Sequence, residues 1–243
     1  MVGWQITLIL KKKKNFYMNK LFLFDIEGTT TDINFVHNVL FPYSRKKLEN
    51  FIHQNSADLK IQSLLKDTQQ TIIEEQGKEA SIHQIISTLI YWIDSDRKHP
   101  ALKELQGLIW EFGYKNNDFK GHLYEDTYSF FKMIHKSQFK IAIYSSGSVW
   151  AQKLLFQYSD FGDLTSYISK YFDTKVGGKR ERTSYEKIAL ESGFKPSEIY
   201  FFSDINAELE AAFLAGFNCI QLKRYPVLEG KFQIITNFNE FIF

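Results

Sequence analysis

Residues 21–31 read LFLFDIEGTTT, and no other stretch restricts the fold as much. Leu21 to Phe24 are four apolar residues, two of them aromatic, too few for a helix and suited to a buried strand. Asp25 and Glu27 follow at once, and Gly28 with three threonines ends the strand. Acids at the carboxyl end of a buried strand stand in the crevice where open α/β sheets keep their ligands. The run therefore marks a site rather than a piece of core.

The rest of the chain supplies the partners such a strand needs. Phe139 to Tyr144 reads as a second strand, and SSGS opens a helix running to about Tyr158. Thr183 to Glu186 has the T-x-x-E form of a capping box, for a helix that stops at Gly193. Ile199 to Phe202 is another strand, Asn206 caps a helix ending at Gly216, and Asn218 to Leu222 is a further strand. Strands separated by helices predict an α/β fold with a doubly wound parallel sheet. Between Asp32 and about Tyr124 the pattern changes to helical spacing, in Leu48, Phe51 and Ile52, then Ile82, Ile85, Ile86, Leu89, Ile90 and Ile93, then Leu102, Leu105, Leu108, Ile109 and Phe112. The expected division is a catalytic core of residues 18–32 and 121–243, an inserted helical cap of residues 33–120, and an appendage, residues 1–17, ahead of a second possible start at Met18.

Charge narrows the partners. Lys11 to Lys14 are the only charged residues before Met18, so of 30 Lys and Arg 26 remain beyond it, against 28 Asp and Glu. The basicity belongs to the tail and points to no nucleic acid. The opening apolar stretch precedes its lysines, the reverse of a secretory signal, and is too short to span a bilayer. A cytoplasmic monomer with no membrane contact is expected. Cys219, alone in the chain, excludes an intrachain disulfide and any multi-cysteine metal site. The six histidines show no paired ligand spacing.

Three more features follow apolar runs as Asp25 does: Ser145 and Ser146 after IAIY, Lys179 in VGGKRE, and Asp204 after IYFFS. A doubly wound sheet brings strand ends to one edge, so these residues should meet. Two carboxylates about 4 Å apart repel by roughly 4 kcal/mol at an effective dielectric near 20, and a bound cation relieves that. Oxygen donors without cysteine favour Mg²⁺ over zinc. Serines at a helix start suit a phosphate, and a lysine adds a point charge for the same oxygens. Lys175 and Lys187 compete for that role, but Lys187 falls within the capped helix, and Lys179, in a loop after Gly178, is the better placed. Nucleophile, metal ligands and oxyanion donors together describe phosphoryl transfer.

The ordered set D-I-E-G-T at Asp25 to Thr29, Ser145, Lys179, and Asp204 with Glu208 resembles the haloacid dehalogenase superfamily of aspartate-nucleophile phosphatases. FVHNVLFPYS, LKELQGLIWEFGY, KGHLY, YSSGSVWAQKLLF, TSYEKIA and SDINAELEAA resemble, within it, the enolase-phosphatases of methionine salvage. The resemblance covers about residues 21–216. It implies a haloacid-dehalogenase-like core with an inserted helical cap and a Mg²⁺-dependent enzyme. The substrate implied is 2,3-diketo-5-methylthiopentyl 1-phosphate, enolised and then dephosphorylated to an acireductone. It also implies that Asp25, Glu27 and Asp204 hold the metal, Glu27 through its main-chain carbonyl, and that Ser145, Ser146 and Lys179 bind substrate. In the corresponding mechanism Asp25 attacks phosphorus to form an aspartyl phosphate, and Glu27 protonates the leaving oxygen and later activates water.

Trp150 replaces a glutamate usual in the family, Asn117 a glycine, and IQLKRYPVLEG an arginine-proline-glycine-asparagine segment, with Arg224 at its basic position. These departures bear on substrate fit rather than on the chemistry. Other readings are a helical-cap phosphatase of glycolate or sugar phosphates, a metal-free dehalogenase, and a catalytically silent interaction module.

Overall fold

The computed structural model describes residues 20–224 and 231–242, so the appendage expected at 1–17 and residues 225–230 of the carboxyl-terminal segment lie outside the described residues. β1 (Leu21–Phe24) comes first, and a helical turn at Ile33–Phe35 widens into a π-helical turn at Val36–Leu40. α1 (Phe41–Gln54), α2 (Leu59–Gln76), α3 (Ile82–Asp94) and α4 (Pro100–Lys115) follow. After them come α5 (Glu125–Lys136), β2 (Lys140–Tyr144), α6 (Val149–Gln157), β3 (Ile168–Phe172), α7 (Arg182–Ser192), β4 (Ile199–Ser203), α8 (Asn206–Leu214), β5 (Asn218–Leu222) and β6 (Gln233–Ile235). The chain divides into two compact units, Asn34–Gly121 and the residues on either side of it.

In the flanking unit the six strands form one parallel sheet in the order β3-β2-β1-β4-β5-β6. β1 lies centrally, and the strand order runs outward from it in both directions. Its alternation assigns the two faces. Phe22 and Phe24 join Phe130, Phe202 and Phe238 in a cluster of stacked and edge-on rings. Leu21 and Leu23 pack instead with Tyr185 and Ile188 of α7 and Leu209 of α8. Full burial of each such side chain favours folding by roughly 1.5–3 kcal/mol, so the strand carrying Asp25 is among the firmest parts of the molecule.

Asn34–Gly121 is helical, with a core that includes Leu48, Ile52, Leu89, Trp92, Leu105 and Ile109. Its helix starts follow from sequence: Asp58 accepts from the backbone N–H groups of Lys60 and Ile61, Ser81 and Gln84 form a capping box, and His99 accepts from Ala101 N–H ahead of Pro100.

Three local expectations require correction. Ser145 and Ser146 do not start α6, whose N-cap is Ser148, accepting from Ala151 N–H at 3.2 Å. The capping box at Thr183–Glu186 does not form. α7 begins at Arg182, and Arg182 takes the Glu186 carboxylate at 2.7 Å. Asn206 is the first residue of α8 rather than its cap. β3 and β6 have no counterpart in the sequence reading: Ser169 and Lys170 of β3 are exposed at the sheet edge, which breaks the apolar run, and β6 has only three residues.

Candidate active site

The strand β1 ends where its backbone last bonds to β4, with Asp25 N–H donating to the Phe202 carbonyl at 3.0 Å. The chain then turns tightly. The Ile26 carbonyl accepts from the N–H groups of Thr29, Thr30 and Thr31 at 3.2, 2.9 and 3.0 Å, and the Thr30 hydroxyl donates back to Asp25 and Ile26 carbonyls. Gly28 takes φ +76° at the bend, a conformation that L side chains rarely adopt. A Cβ there would also lie 2.5 Å from Asp204 Oδ2, so glycine is what lets the loop and the end of β4 come together.

Asp25 is buried, and the Lys179 ammonium donates to its Oδ1. Lys179 also meets Glu208 Oε2 at 2.7 Å, and Glu208 accepts from the Ser203 hydroxyl at 3.0 Å. Burial alone would push the ammonium down, but Asp25 and Glu208 outweigh it and hold Lys179 charged well above its ordinary range. Three carbonyls fix the loop that delivers it. Gly177, Gly178 and Lys179 accept from the hydroxyls of Tyr144, Ser184 and Tyr185 at 3.0, 2.8 and 2.7 Å. Lys187 points elsewhere, donating to the Val176 carbonyl at 3.1 Å.

Glu27 is half-buried, and the Ser145 hydroxyl lies 3.3 Å from its Oε2 while accepting from Gly147 N–H at 3.1 Å. Burial, then the charge of Asp25, push the Glu27 carboxyl above the usual range. The same two causes raise Asp204 to about 6 and Glu208 to about 7. Burial first and the neighbouring Asp25 second thus push all three carboxyls upward.

Asp25 and Lys179 touch, Glu27 and Ser145 touch, and Asp204 stands against Gly28 of the Asp25 loop. Ser146, the residue after Ser145, is exposed. Glu208, which the motif set pairs with Asp204, is a full member of the charge cluster. Thr29 and Arg224 were not legible as site residues. Asp204 N–H donates to the Thr29 hydroxyl at 3.2 Å, and the Arg224 guanidinium donates twice to the Thr29 carbonyl. Thr29 had a signal in its place in DIEGT and Arg224 in the basic position of the segment after β5, but nothing in the sequence showed that the two meet.

Among the described residues no three His, Cys, Asp or Glu side chains gather as a metal-binding group. The chemistry of the donors nevertheless suits a hard cation. Asp204 Oδ1 is buried without a hydrogen-bond partner, and Asp25 repels both Asp204 and Glu27. Two carboxylates and a main-chain oxygen, with water completing the shell, are the kind of set Mg²⁺ takes.

Residues 19–216 match the family model of the haloacid dehalogenase-like hydrolases. The chain is 49% identical over 207 residues to a protein of Sulfurihydrogenibium sp. named enolase-phosphatase E1, covering 85% of this chain and 89% of that one. It is 46% identical over 224 residues to the protein of that name from Aquifex aeolicus, covering 92% and 99%. Among solved structures, the UTR4 protein of Saccharomyces cerevisiae superposes with a TM-score of 0.78 at 34% identity, covering 92% of this chain and all of that one.

Proposed function

This chain belongs to the haloacid dehalogenase-like hydrolases and, within them, to the enolase-phosphatases, and on that premise we propose that it is an acireductone synthase of methionine salvage. Its substrate is 2,3-diketo-5-methylthiopentyl 1-phosphate. Enolisation moves a proton from the carbon bearing the phosphate to the neighbouring carbonyl oxygen, and hydrolysis then yields acireductone and phosphate. The observation that carries the reading is the contact of Lys179 with Asp25 Oδ1, beside Glu27, which accepts from the Ser145 hydroxyl.

The roles follow from donors and acceptors. Lys179 has three N–H groups, of which Asp25 and Glu208 take two, leaving one for a phosphoryl oxygen. Ser145 and Ser146 offer hydroxyls to the same oxygens. Asp25 attacks phosphorus as the bond to the enol oxygen breaks, and Glu27, whose carboxyl burial and then Asp25 push upward, gives that oxygen its proton. Glu27 then takes a proton from the water that attacks the aspartyl phosphate, freeing Asp25 and inorganic phosphate. Magnesium, held by Asp25, Asp204 and the main-chain carbonyl of Glu27, would supply the positive charge that lets two acids and a phosphoryl group share one site.

Among the described residues no helix is long and apolar enough to cross a membrane. A cytoplasmic monomer acting on a small phosphorylated diketone, without nucleic acid, completes the reading. The test is ultraviolet spectroscopy of the diketo phosphate with enzyme and Mg²⁺, alongside a phosphate assay. Enol absorbance that rises and is followed by phosphate release is expected. Phosphate release with no enol or acireductone product would point to a general phosphatase instead.

A further inference from the structure

Arg224 lies just past β5, two strands away from Asp25, yet its side chain is spent on the Asp25 loop. Its Nε and Nη2 donate to the Thr29 carbonyl at 3.0 and 2.7 Å, and Nη2 also reaches the Thr127 hydroxyl at 3.2 Å. Nη1 faces both oxygens of Asp126 at 2.9 and 2.7 Å. The guanidinium lies 3.9 Å from the Tyr124 ring centroid and 5.2 Å from that of Phe238. Side-chain exposures of 7% for Arg224 and 12% for Asp126 show that this pair is out of water. A buried charge pair of this kind is weak as a source of stability but strong as a geometric constraint, because a planar fork satisfies several acceptors in one orientation only.

The constraint points at the reacting carboxylates. Thr29, whose carbonyl Arg224 holds, accepts with its hydroxyl from the backbone N–H of Asp204. The preceding residue, Gly28, is the one packed against the Asp204 carboxylate. The next, Thr30, has its carbonyl held by the Thr127 hydroxyl at 3.2 Å and by Tyr124 N–H at 3.1 Å. Asp126 in turn accepts from Phe238 N–H at 2.7 Å, which anchors the fork to the Phe cluster beneath β1.

We propose that Arg224 is a positioning residue: braced by Asp126, it fixes the back of the Asp25–Thr31 loop and so sets the spacing between the Asp25 and Asp204 carboxylates. This rests on the reading of those carboxylates as the reacting and cation-holding groups. Arg224 touches neither of them, and its effect passes through the Thr29 carbonyl and, by way of the Thr127 hydroxyl, the Thr30 carbonyl. Lysine keeps the charge but cannot reproduce the planar fork.

The experiment compares the full chain with Arg224→Lys and Arg224→Met in two assays, Mn²⁺ binding followed by electron paramagnetic resonance and steady-state hydrolysis of p-nitrophenyl phosphate. Loss of a group that orients ligands costs about 10- to 100-fold in metal affinity or rate, so Arg224→Lys is expected to bind Mn²⁺ about tenfold more weakly. Its kcat should fall by a similar factor, with KM held within about threefold. Arg224→Lys serves as the decisive variant if Arg224→Met does not fold. A variant that melts earlier but keeps wild-type Mn²⁺ affinity and kcat would reduce Arg224 to a structural brace and overturn the proposal. A wild-type chain that hydrolyses nothing would count against the phosphatase reading, while the Mn²⁺ comparison would still decide the role of Arg224.

Discussion

In the proposed mechanism Asp25 and Glu27, two residues apart, do opposite things, one attacking phosphorus and the other delivering a proton. Lys179 beside Asp25 and the burial of Glu27 separate the roles. Asp25→Asn is therefore expected to lower phosphate release by at least about a thousandfold with the fold intact, since a nucleophile is not replaced by binding alone. Glu27→Gln should cost about 10²–10⁴ in turnover of the natural substrate. With p-nitrophenyl phosphate, whose leaving group needs little help from an acid, the same variant should release a burst of nitrophenol equal to the enzyme present and then slow. A slow linear release with no burst would place Glu27 outside the second step. At Gly28 the expectation is steric: alanine meets both a left-handed φ and the Asp204 carboxylate, so Gly28→Ala should lose about 1–2 kcal/mol in chemical denaturation from the backbone alone.

These residues were legible because each follows an apolar run and a parallel sheet converts that rule into position. What the sequence could not reveal is which atoms meet. Ser145 and Ser146 look equivalent as text, yet one is buried against Glu27 and the other is exposed. Arg224 is separated from Thr29 by almost the whole chain, and no local pattern links them.

Elements follow the same division between local and distant causes. Within Asn34–Gly121, α1, α3 and α4 were readable from apolar spacing, while the box at Thr183–Glu186 does not form, Arg182 taking its glutamate. Ser184, inside that motif, serves instead the loop ahead of it, as Tyr144 and Tyr185 do. Tyr185→Phe leaves the Lys179 carbonyl without its 2.7 Å partner, and a loss of about 1–3 kcal/mol is expected in urea denaturation, with activity falling as Lys179 loosens. Unchanged stability and activity would show that the clasp is redundant.

His99 gives the helical unit a pH dependence of definite sign. It caps α4 as an acceptor, and burial followed by the nearby Arg97 charge holds its pKa below the ordinary 6.5. The unfolded chain therefore takes up the proton first as pH falls, so His99 removes stability progressively below about pH 6.5 and none above it. His99→Asn keeps a capping oxygen without the titration. Between pH 7 and 5 the wild type should lose more melting temperature than this variant, with Trp92, 4.5 Å from the His99 ring, as the fluorescent reporter. Parallel pH curves would remove His99 from the account.

At the scale of the molecule, the parallel sheet explains why residues so distant in sequence act together. β1 lies at the centre, the strand order runs outward from it in both directions, and Asp25, Ser145 and Asp204 each follow the carboxyl end of a strand. The fold class was legible because alternation of strand and helix permits few topologies, whereas the edge strands β3 and β6 were hidden by exposed or short segments. Chelation should test the cation on the same scale: dialysis against EDTA is expected to abolish phosphate release and added Mg²⁺ to restore it, and release that survives chelation would contradict the oxygen-donor reading of Asp25 and Asp204.

In the proposed reaction Asp25 carries the phosphoryl group. Enzyme mixed with substrate, quenched in acid within one turnover and reduced with borohydride, can be digested and sequenced by mass spectrometry, because reduction turns an aspartyl phosphate into homoserine. Homoserine at position 25, absent from the Asp25→Asn protein, is the predicted result. Turnover with Asp25 unmodified at every quench time, and undiminished by the substitution, would contradict it.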